Sequence, residues 1–149
     1  MNTVLTILGI FIVFNFGRIY YQNNQVPTLG VIEGQLSPIS KKPNNVSSQT
    51  DIPEKHVAPL PMKGNATETM QALLTASTQY GNATIIEHTE NYLYVVYTTA
   101  LMKYRDDVEF YLDEANNEVH FRSASRAGYS DMGLNRERYD KIAELYSAI

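Results

Sequence analysis

The residues best suited to chemistry lie close together in the last third of the chain. Five of the six arginines fall in one window, at Arg105, Arg122, Arg126, Arg136 and Arg138. Acidic side chains share this window, namely Asp106, Asp107, Glu109 and Asp131. Because a guanidinium pairs with a carboxylate or a phosphate through parallel hydrogen bonds, the pattern predicts an ordered arginine network.

Two of these arginines lie at the start of the predicted last helix, where their positive charge needs a negative partner. The helix runs from Arg136 to about Ser147 with Asn135 as its N-cap, which places Arg136 and Arg138 in its first turn. The helix dipole disfavours cations there and favours a compensating negative group. That group is either a nearby acid or an external anion, such as phosphate or a carboxylate, bound at the helix N-terminus beside residues 128–133. The abundance of local acids favours internal pairing.

The same window also allows an acid–base enzyme. Asp107, Glu109 or His120 would then transfer the proton in a hydrolase-like or transferase-like reaction. Strand alternation places Asp107 and Glu109 on one face and Asp106 on the other. Two carboxylates and one histidine make a thin metal site, and no serine or histidine shows hydrolase or zinc-protease spacing. Neither a metal nor a cofactor is therefore predicted.

Composition excludes several classes of function. The 149 residues include no cysteine, which excludes disulfides, thiolate catalysis and cysteine-bound zinc. The net charge is −4 and no basic face stands out, which argues against a nucleic-acid partner. Hydrophobic residues make up 44% of the chain and charged residues 19%, a balance typical of globular proteins.

Residues 1–21 are predicted to be a membrane anchor or a signal-like segment. The chain is almost continuously apolar from Val4 to Phe14, and a helix from Thr3 to Tyr21 would be roughly 28 Å long. No basic residue precedes the apolar run and no small-residue cleavage site follows it, which favours an uncleaved anchor over a cleaved signal peptide. The expected location is a bacterial inner membrane with the domain exported. Orientation stays open, because the basic residues after the segment favour a cytoplasmic domain.

The rest of the chain divides into two regions. Residues 22–64 are rich in Pro, Asn, Ser and Gln and keep no regular period, which predicts a linker and an extended strap. Residues 65–149 are predicted to form an α+β domain. It starts with a helix from Asn65 to Tyr80, capped by Asn65, and continues with four alternating segments before the last helix. The expected fold is an antiparallel sheet of about four strands with two flanking helices.

Several motifs resemble those of an uncharacterised family. They are Leu29-Gly30-Val31, the segment Pro43 to Gln49, Asp106-Asp107-Val108-Glu109-Phe110, and the block from Arg122 to Asp131 followed by Gly133, Asn135, Arg136 and Arg138. On these residues the chain resembles the family catalogued as domain of unknown function 1499, from about Leu29 to the C-terminus. Members often carry two cysteines where this chain has Ile39 and Asn45. The resemblance implies a domain type and a docked strap, and it implies no established activity.

The leading functional hypothesis is a non-catalytic domain, tethered to a membrane through residues 1–21. It would bind an envelope partner or a small anionic ligand through an arginine-rich surface. The candidate binding residues are Asn44, Ser47, Ser48, Asp107, Glu109, Arg122, Arg126, Asp131, Asn135, Arg136 and Arg138. The alternatives are the acid–base enzyme and a purely structural adaptor, in which every arginine is satisfied from within.

Overall fold

The structure is a computed structural model that describes residues 2–149, so Met1 of the predicted N-terminal segment lies outside the described residues. Helix α1 spans Asn2–Asn24. It is long and apolar enough to cross a membrane, and the domain buries none of its most apolar window. A signal sequence would have the same length and composition. The predicted apolar N-terminal helix is therefore confirmed.

The domain is α+β, as predicted. Its strands are β1 (Val31–Ile32), β2 (Gln35–Leu36), β3 (Asn45–Ser47), β4 (Leu60–Pro61), β5 (Ala83–His88), β6 (Tyr92–Thr98), β7 (Arg105–Asp113) and β8 (Glu118–Ser125). Its helices are α2 (Ala66–Tyr80) and α3 (Leu134–Ala148), with a short 3-10 helix at Pro53–Lys55. Strands β5 to β8 form the predicted antiparallel meander.

The main sheet has six strands rather than about four. The order is β3-β8-β7-β6-β5, and β4 also pairs with β8. Both additional strands come from the strap and pair antiparallel with successive stretches of β8. Segments of two or three residues are too short to show a period of two, so their strand state depends on the free edge that β8 offers them. The predicted extended strap is thus part of the sheet.

The two faces of the sheet are covered differently. Helices α2 and α3 pack on one face, where Leu73 and Ile142 join Val95, Phe110 and Phe121 in the main core. We call this the helix face. The opposite face, which we call the strap face, carries a smaller cluster of Leu36, Tyr92, Tyr94 and Val96, with Leu29 and Val31 from the strap packed against it.

Helix α2 begins as predicted, because the Asn65 side chain accepts a hydrogen bond from the amide of Glu68 at 3.0 Å. Helix α3 begins two residues earlier than predicted. Its N-cap is Gly133, in the left-handed conformation with φ of 86°, which favours glycine. Asn135 is therefore not the cap but the second residue of the helix. Arg136 and Arg138 are its third and fifth residues rather than its first and third.

The C-terminal end of α1 is hydrogen-bonded to the domain. The Asn23 side chain donates to the carbonyl of Lys103 at 2.7 Å and accepts from the amide of Arg105 at 2.8 Å. The Asn24 side chain accepts from Arg105 Nη1, also at 2.8 Å. These contacts place α1 at the end of the sheet where β6 ends, β7 begins and β8 ends. We call this the anchor end of the domain.

Candidate functional site

The predicted arginine network exists, and the strand register divides it between the two faces of the sheet. In the pairing of β7 with β8, Glu109 lies opposite Arg122 and Asp106 lies opposite Ser125. Alternation sends Asp106 to the helix face and sends Asp107 and Glu109 to the strap face, as predicted. Each acid receives an arginine of its own.

On the helix face, Arg138 pairs with Asp106. Arg138 Nη2 donates to Asp106 Oδ2 at 2.6 Å, and both side chains are only 2% exposed. Arg138 Nη1 donates to Asn135 Oδ1 at 2.9 Å, and the guanidinium carbon lies 4.9 Å from the centre of the Tyr97 ring. A buried ion pair recovers its desolvation cost only when further hydrogen bonds satisfy its other polar atoms. The network does this for both terminal nitrogens of Arg138, whereas its Nε is buried without a hydrogen-bond partner among the described residues.

Asn135 connects this pair to the strap and to the loop before α3. Its Nδ2 lies within hydrogen-bond distance of the Asn44 carbonyl, Ser125 Oγ and Asp131 Oδ2, at 3.0, 3.0 and 2.7 Å. Its Oδ1 also accepts from Ser123 Oγ. A side chain with this many buried partners is a structural connector, which explains why it cannot serve as an N-cap.

The capping role belongs to Asp131. Its carboxylate accepts hydrogen bonds from the amides of Gly133 at 3.1 Å and Asn135 at 2.7 Å. The amides of Leu134 and Arg136 donate to the carbonyls of Asp131 and Gly133. The first amides of α3 therefore all have acceptors within the chain, and no free amide is left there for the external anion that the sequence had allowed.

On the strap face, Arg126 forms a bidentate ion pair with Asp107. Arg126 Nε donates to Oδ2 at 2.9 Å and Nη2 donates to Oδ1 at 2.7 Å. The hydrogen bonds to Asp107 raise the pKa of Arg126. The Tyr94 hydroxyl donates to the same carboxylate at 2.5 Å. Burial, together with this bond, raises the pKa of Tyr94 to about 12.

The second strap-face pair joins Arg122 to Glu109. Arg122 Nη1 donates to Glu109 Oε2 at 2.9 Å. The Tyr92 hydroxyl and the Gly30 amide donate to Oε1 at 2.8 and 3.0 Å. Burial raises the pKa of Glu109, although Arg122, Tyr92 and Gly30 all favour the ionised form.

Arg136 has a different kind of partner. Its Nη2 donates to the backbone carbonyls of Glu54 and His56, each at 3.0 Å. It therefore ties α3 to the strap beside the short 3-10 helix, and it lies apart from the carboxylates that hold the other three arginines. Internal pairing, the interpretation favoured from the sequence, describes Arg122, Arg126 and Arg138.

The remaining predicted residues lie where the strap meets β8. Asn44 donates to the carbonyl of Gly128 at 3.3 Å, and Ser47 Oγ accepts from the Gln49 amide at 3.1 Å. Ser48 Oγ accepts from the Phe121 amide at 2.9 Å. The bond of Ser48 joins the strap to β8, that of Asn44 joins it to the loop after β8, and that of Ser47 lies within the strap. Of the three residues, only Asn44 reaches the arginine network, through Asn135.

His120 shares the strap face with the two carboxylates but is engaged elsewhere. Its Nδ1 lies 3.2 Å from Ser48 Oγ, and its Nε2 lies 3.7 Å from Asp113. Asp107 and Glu109 are each held by an arginine and a tyrosine. The three groups of the acid–base hypothesis are thus not joined by hydrogen bonds. Among the described residues, no group of three His, Asp or Glu side chains is arranged to hold a metal ion.

A groove opens beside the strap-face pairs at the anchor end. It has a volume of about 270 Å³ and is lined by Gln22, Gln25 and Pro27 on one side and by Arg122, Ser125 and Arg126 on the other. Arg122 is 8% exposed, and its Nε is buried without a hydrogen-bond partner among the described residues. The sequence singled out the arginines, whereas the part played by residues 22–27 depends on a long-range contact that no local pattern reveals.

Sequence reasoning also missed the tyrosines of the site. Tyr92 and Tyr94 lie two residues apart on β6, and their hydroxyls donate to the two strap-face carboxylates. Their spacing of two matches that of Asp107 and Glu109 on the neighbouring strand, and this was the available signal.

Fold and site together define a small α+β domain behind an N-terminal apolar helix, with arginine–carboxylate pairs on both faces of its sheet. The chain belongs to the family described as protein of unknown function, DUF1499, which it matches over residues 35–145. No curated protein and no solved structure matches it. The family resemblance expected from the sequence is confirmed, and it brings no assigned activity.

Proposed function

We propose that this protein is a non-catalytic, membrane-anchored domain that binds a small anionic ligand, a carboxylate or a phosphate, in the groove beside Arg122 and Arg126. The observation that carries the proposal is the buried, unpartnered Nε of Arg122, a residue that lines this groove. A buried donor without an acceptor costs about 1–3 kcal/mol. An acceptor supplied by a ligand would recover part of that cost.

The chemistry of the groove suits an anion that is read by hydrogen bonds. Arg122 donates to Glu109 through Nη1 only, whereas Arg126 uses Nε and Nη2 on Asp107. A guanidinium has five N–H donors in a planar fork, so both arginines keep further donors after pairing. Because their charges are largely balanced by the two carboxylates, we expect a modest affinity and a strong dependence on geometry.

Arg138 serves as an internal comparison. Its Nε is also buried without a partner. Its guanidinium, however, lies against the rings of Tyr97 and Tyr80, which supplies a cation–π contact, and Arg138 lines none of the cavities described for this domain. Arg122 therefore differs from Arg138 because it combines an unpartnered buried nitrogen with a position in the lining of a groove.

The proposal includes retention of α1 as the anchor, in a bacterial inner membrane with the domain exported. Support comes from the contacts of the helix with the domain. Phe16 and Tyr20 share a cavity of about 270 Å³ with Met102 and Tyr104, and Asn23 is hydrogen-bonded to both Lys103 and Arg105. A segment destined for removal has no need of such contacts.

The anion site can be tested with a variant that removes Nε of Arg122 but keeps the positive charge. Arg122→Lys retains a cation for Glu109 but removes Nε. We expect the full chain in detergent micelles to melt roughly several degrees higher in about 20 mM inorganic phosphate or acetate than in chloride of equal ionic strength. The reason is that an anion that binds only the native state stabilises it by mass action. In Arg122→Lys this increase should disappear. Arg105→Lys is the matched control and should keep the increase, because Arg105 lines a different cavity and binds the Asn24 side chain rather than a carboxylate.

The result that would refute the anion site is an unchanged increase in Arg122→Lys. The absence of any anion effect in the parent chain would instead support the structural adaptor. That alternative has its own observation in favour, since Arg122, Arg126 and Arg138 each already hold a carboxylate of the chain.

A further inference from the structure

We infer that two loops at the anchor end, the β6–β7 turn at Leu101 and Met102 and the β8–α3 loop at Tyr129 and Met132, insert into the lipid interface of the membrane that α1 enters. The inference rests on the proposed retention of α1. The domain would then lie against the bilayer rather than hang from it by a flexible stalk.

The exposure of these side chains is the first observation. Met132 is 98% exposed, Leu101 89%, Tyr129 72% and Met102 50%. Scattered apolar side chains are normal on a soluble surface, whereas a group at one end of a domain marks a contact with a partner or a membrane.

The two loops do lie together. Thr98 pairs with Arg105 and Asp106 pairs with Ser125, so the end of β6, the start of β7 and the end of β8 meet at the anchor end. A cavity of about 290 Å³ joins the loops directly, since Thr99 and Tyr104 line it together with Met132 and Leu134.

The position of α1 indicates that lipid covers the anchor end of the domain. Met102 lines one cavity with Phe16, Ile19 and Tyr20 of the apolar helix. Phe16 precedes Asn24 by eight residues, which is about 12 Å along a helix. Met102 is therefore level with the last turns of the apolar segment rather than beyond its end. If those turns are in the bilayer interface, Met102 is there too.

The flanking residues suit a lipid interface as well. The turn from residue 99 to residue 105 contains Lys103, Tyr104 and Arg105 and no acid, and Arg18 lies in the last turns of α1. Basic and tyrosine side chains are favoured at headgroup level, where they meet phosphate groups. The acid of the other loop, Asp131, is bound to amides at the start of α3.

The chain has no tryptophan, so a single one reports its own surroundings. Leu101→Trp and Met132→Trp probe the two loops, and Phe11→Trp probes α1. Ile149→Trp is the matched control, because Ile149 is an exposed apolar residue that follows α3 at the opposite end of the domain, roughly 22 Å from Leu134. Each full-length variant is placed in phosphatidylcholine–phosphatidylglycerol vesicles, with or without brominated acyl chains.

We expect brominated lipid to lower the fluorescence of Leu101→Trp and Met132→Trp at least twofold, as for Phe11→Trp, and to leave Ile149→Trp unchanged. Quenching at Phe11→Trp alone would overturn the inference while leaving the anchor in place, and would assign the loops to a soluble partner or a second copy. Without quenching at Phe11→Trp, the anchor and the inference fail together. The phosphate experiment is independent of either result.

Discussion

The helix face and the strap face of the β7–β8 pair carry the same chemistry in different surroundings. Arg138 and Asp106 are buried between the sheet and α3, and Asn135 links Arg138 to the strap and to β8. Arg122 and Arg126 instead border a groove whose other side is formed by the end of α1 and the start of the strap. Similar ion pairs can therefore serve different purposes, because the covering layer decides whether a guanidinium has donors to offer. We propose a structural role for the helix face and a binding role for the strap face.

The largest effect is expected from breaking the helix-face pair. Arg138→Met leaves the Asp106 carboxylate buried without its cation, and removing one partner of a buried ion pair costs about 3–5 kcal/mol. The free energy of unfolding of the full chain in micelles, obtained by guanidinium titration, measures this loss. Lys141→Met on the same helix breaks only the exposed pair with Glu144, and it should change stability by less than about 0.5 kcal/mol. Equal effects of the two variants would remove the structural role from the helix face.

A smaller effect concerns the pH dependence of the strap face. Burial raises the pKa of Glu109, so between its unfolded pKa and its raised folded pKa the native state binds more protons than the unfolded state. This contribution to stability is complete below the unfolded pKa and is lost as the pH rises through the folded value. The fall should be smaller than the loss in Arg138→Met.

Glu109→Gln keeps the shape of the side chain and its acceptor for Tyr92 and Gly30 but does not titrate. Urea unfolding of the parent chain and of this variant from pH 4 to pH 8 isolates the contribution of Glu109. The slope attributed to Glu109 should be absent from the variant. If both proteins show the same slope, other groups control the pH dependence and the carboxylate is held ionised by its three donors.

Sequence patterns predict the local features of the two faces but not the contacts between residues that are distant in the chain. A period of two in four segments between Ala83 and Arg122 predicted the meander and put Asp106 and Asp107 on opposite faces, because alternation is a local property. The pairing of Glu109 with Arg122 depends on register across a turn, and the groove depends on residues 22–27 folding back over β8. Neither is encoded locally.

At the start of α3, Asn135 shows the same difference between local pattern and long-range contact. Asn135 suits an N-cap by type, and the sequence does not say that Ser125 and Asn44 will surround it. Gly133 and Asp131 were the available signals, because a glycine in the left-handed conformation and an upstream carboxylate can together replace an asparagine cap.

The smallest effect is expected from Arg136→Ala, the variant that best sharpens the contrast between the faces. Arg136 donates to two carbonyls of the strap from a partly exposed position, where water replaces it, so the free energy of unfolding should fall by only about 0.5–1.5 kcal/mol. Because Arg136 does not line the groove, the rise in melting temperature with phosphate should be the same as in the parent chain. Loss of that rise in Arg136→Ala, with retention in Arg122→Lys, would move the anion site to the surface of α3. The two variants together therefore locate the anion on one arginine or the other.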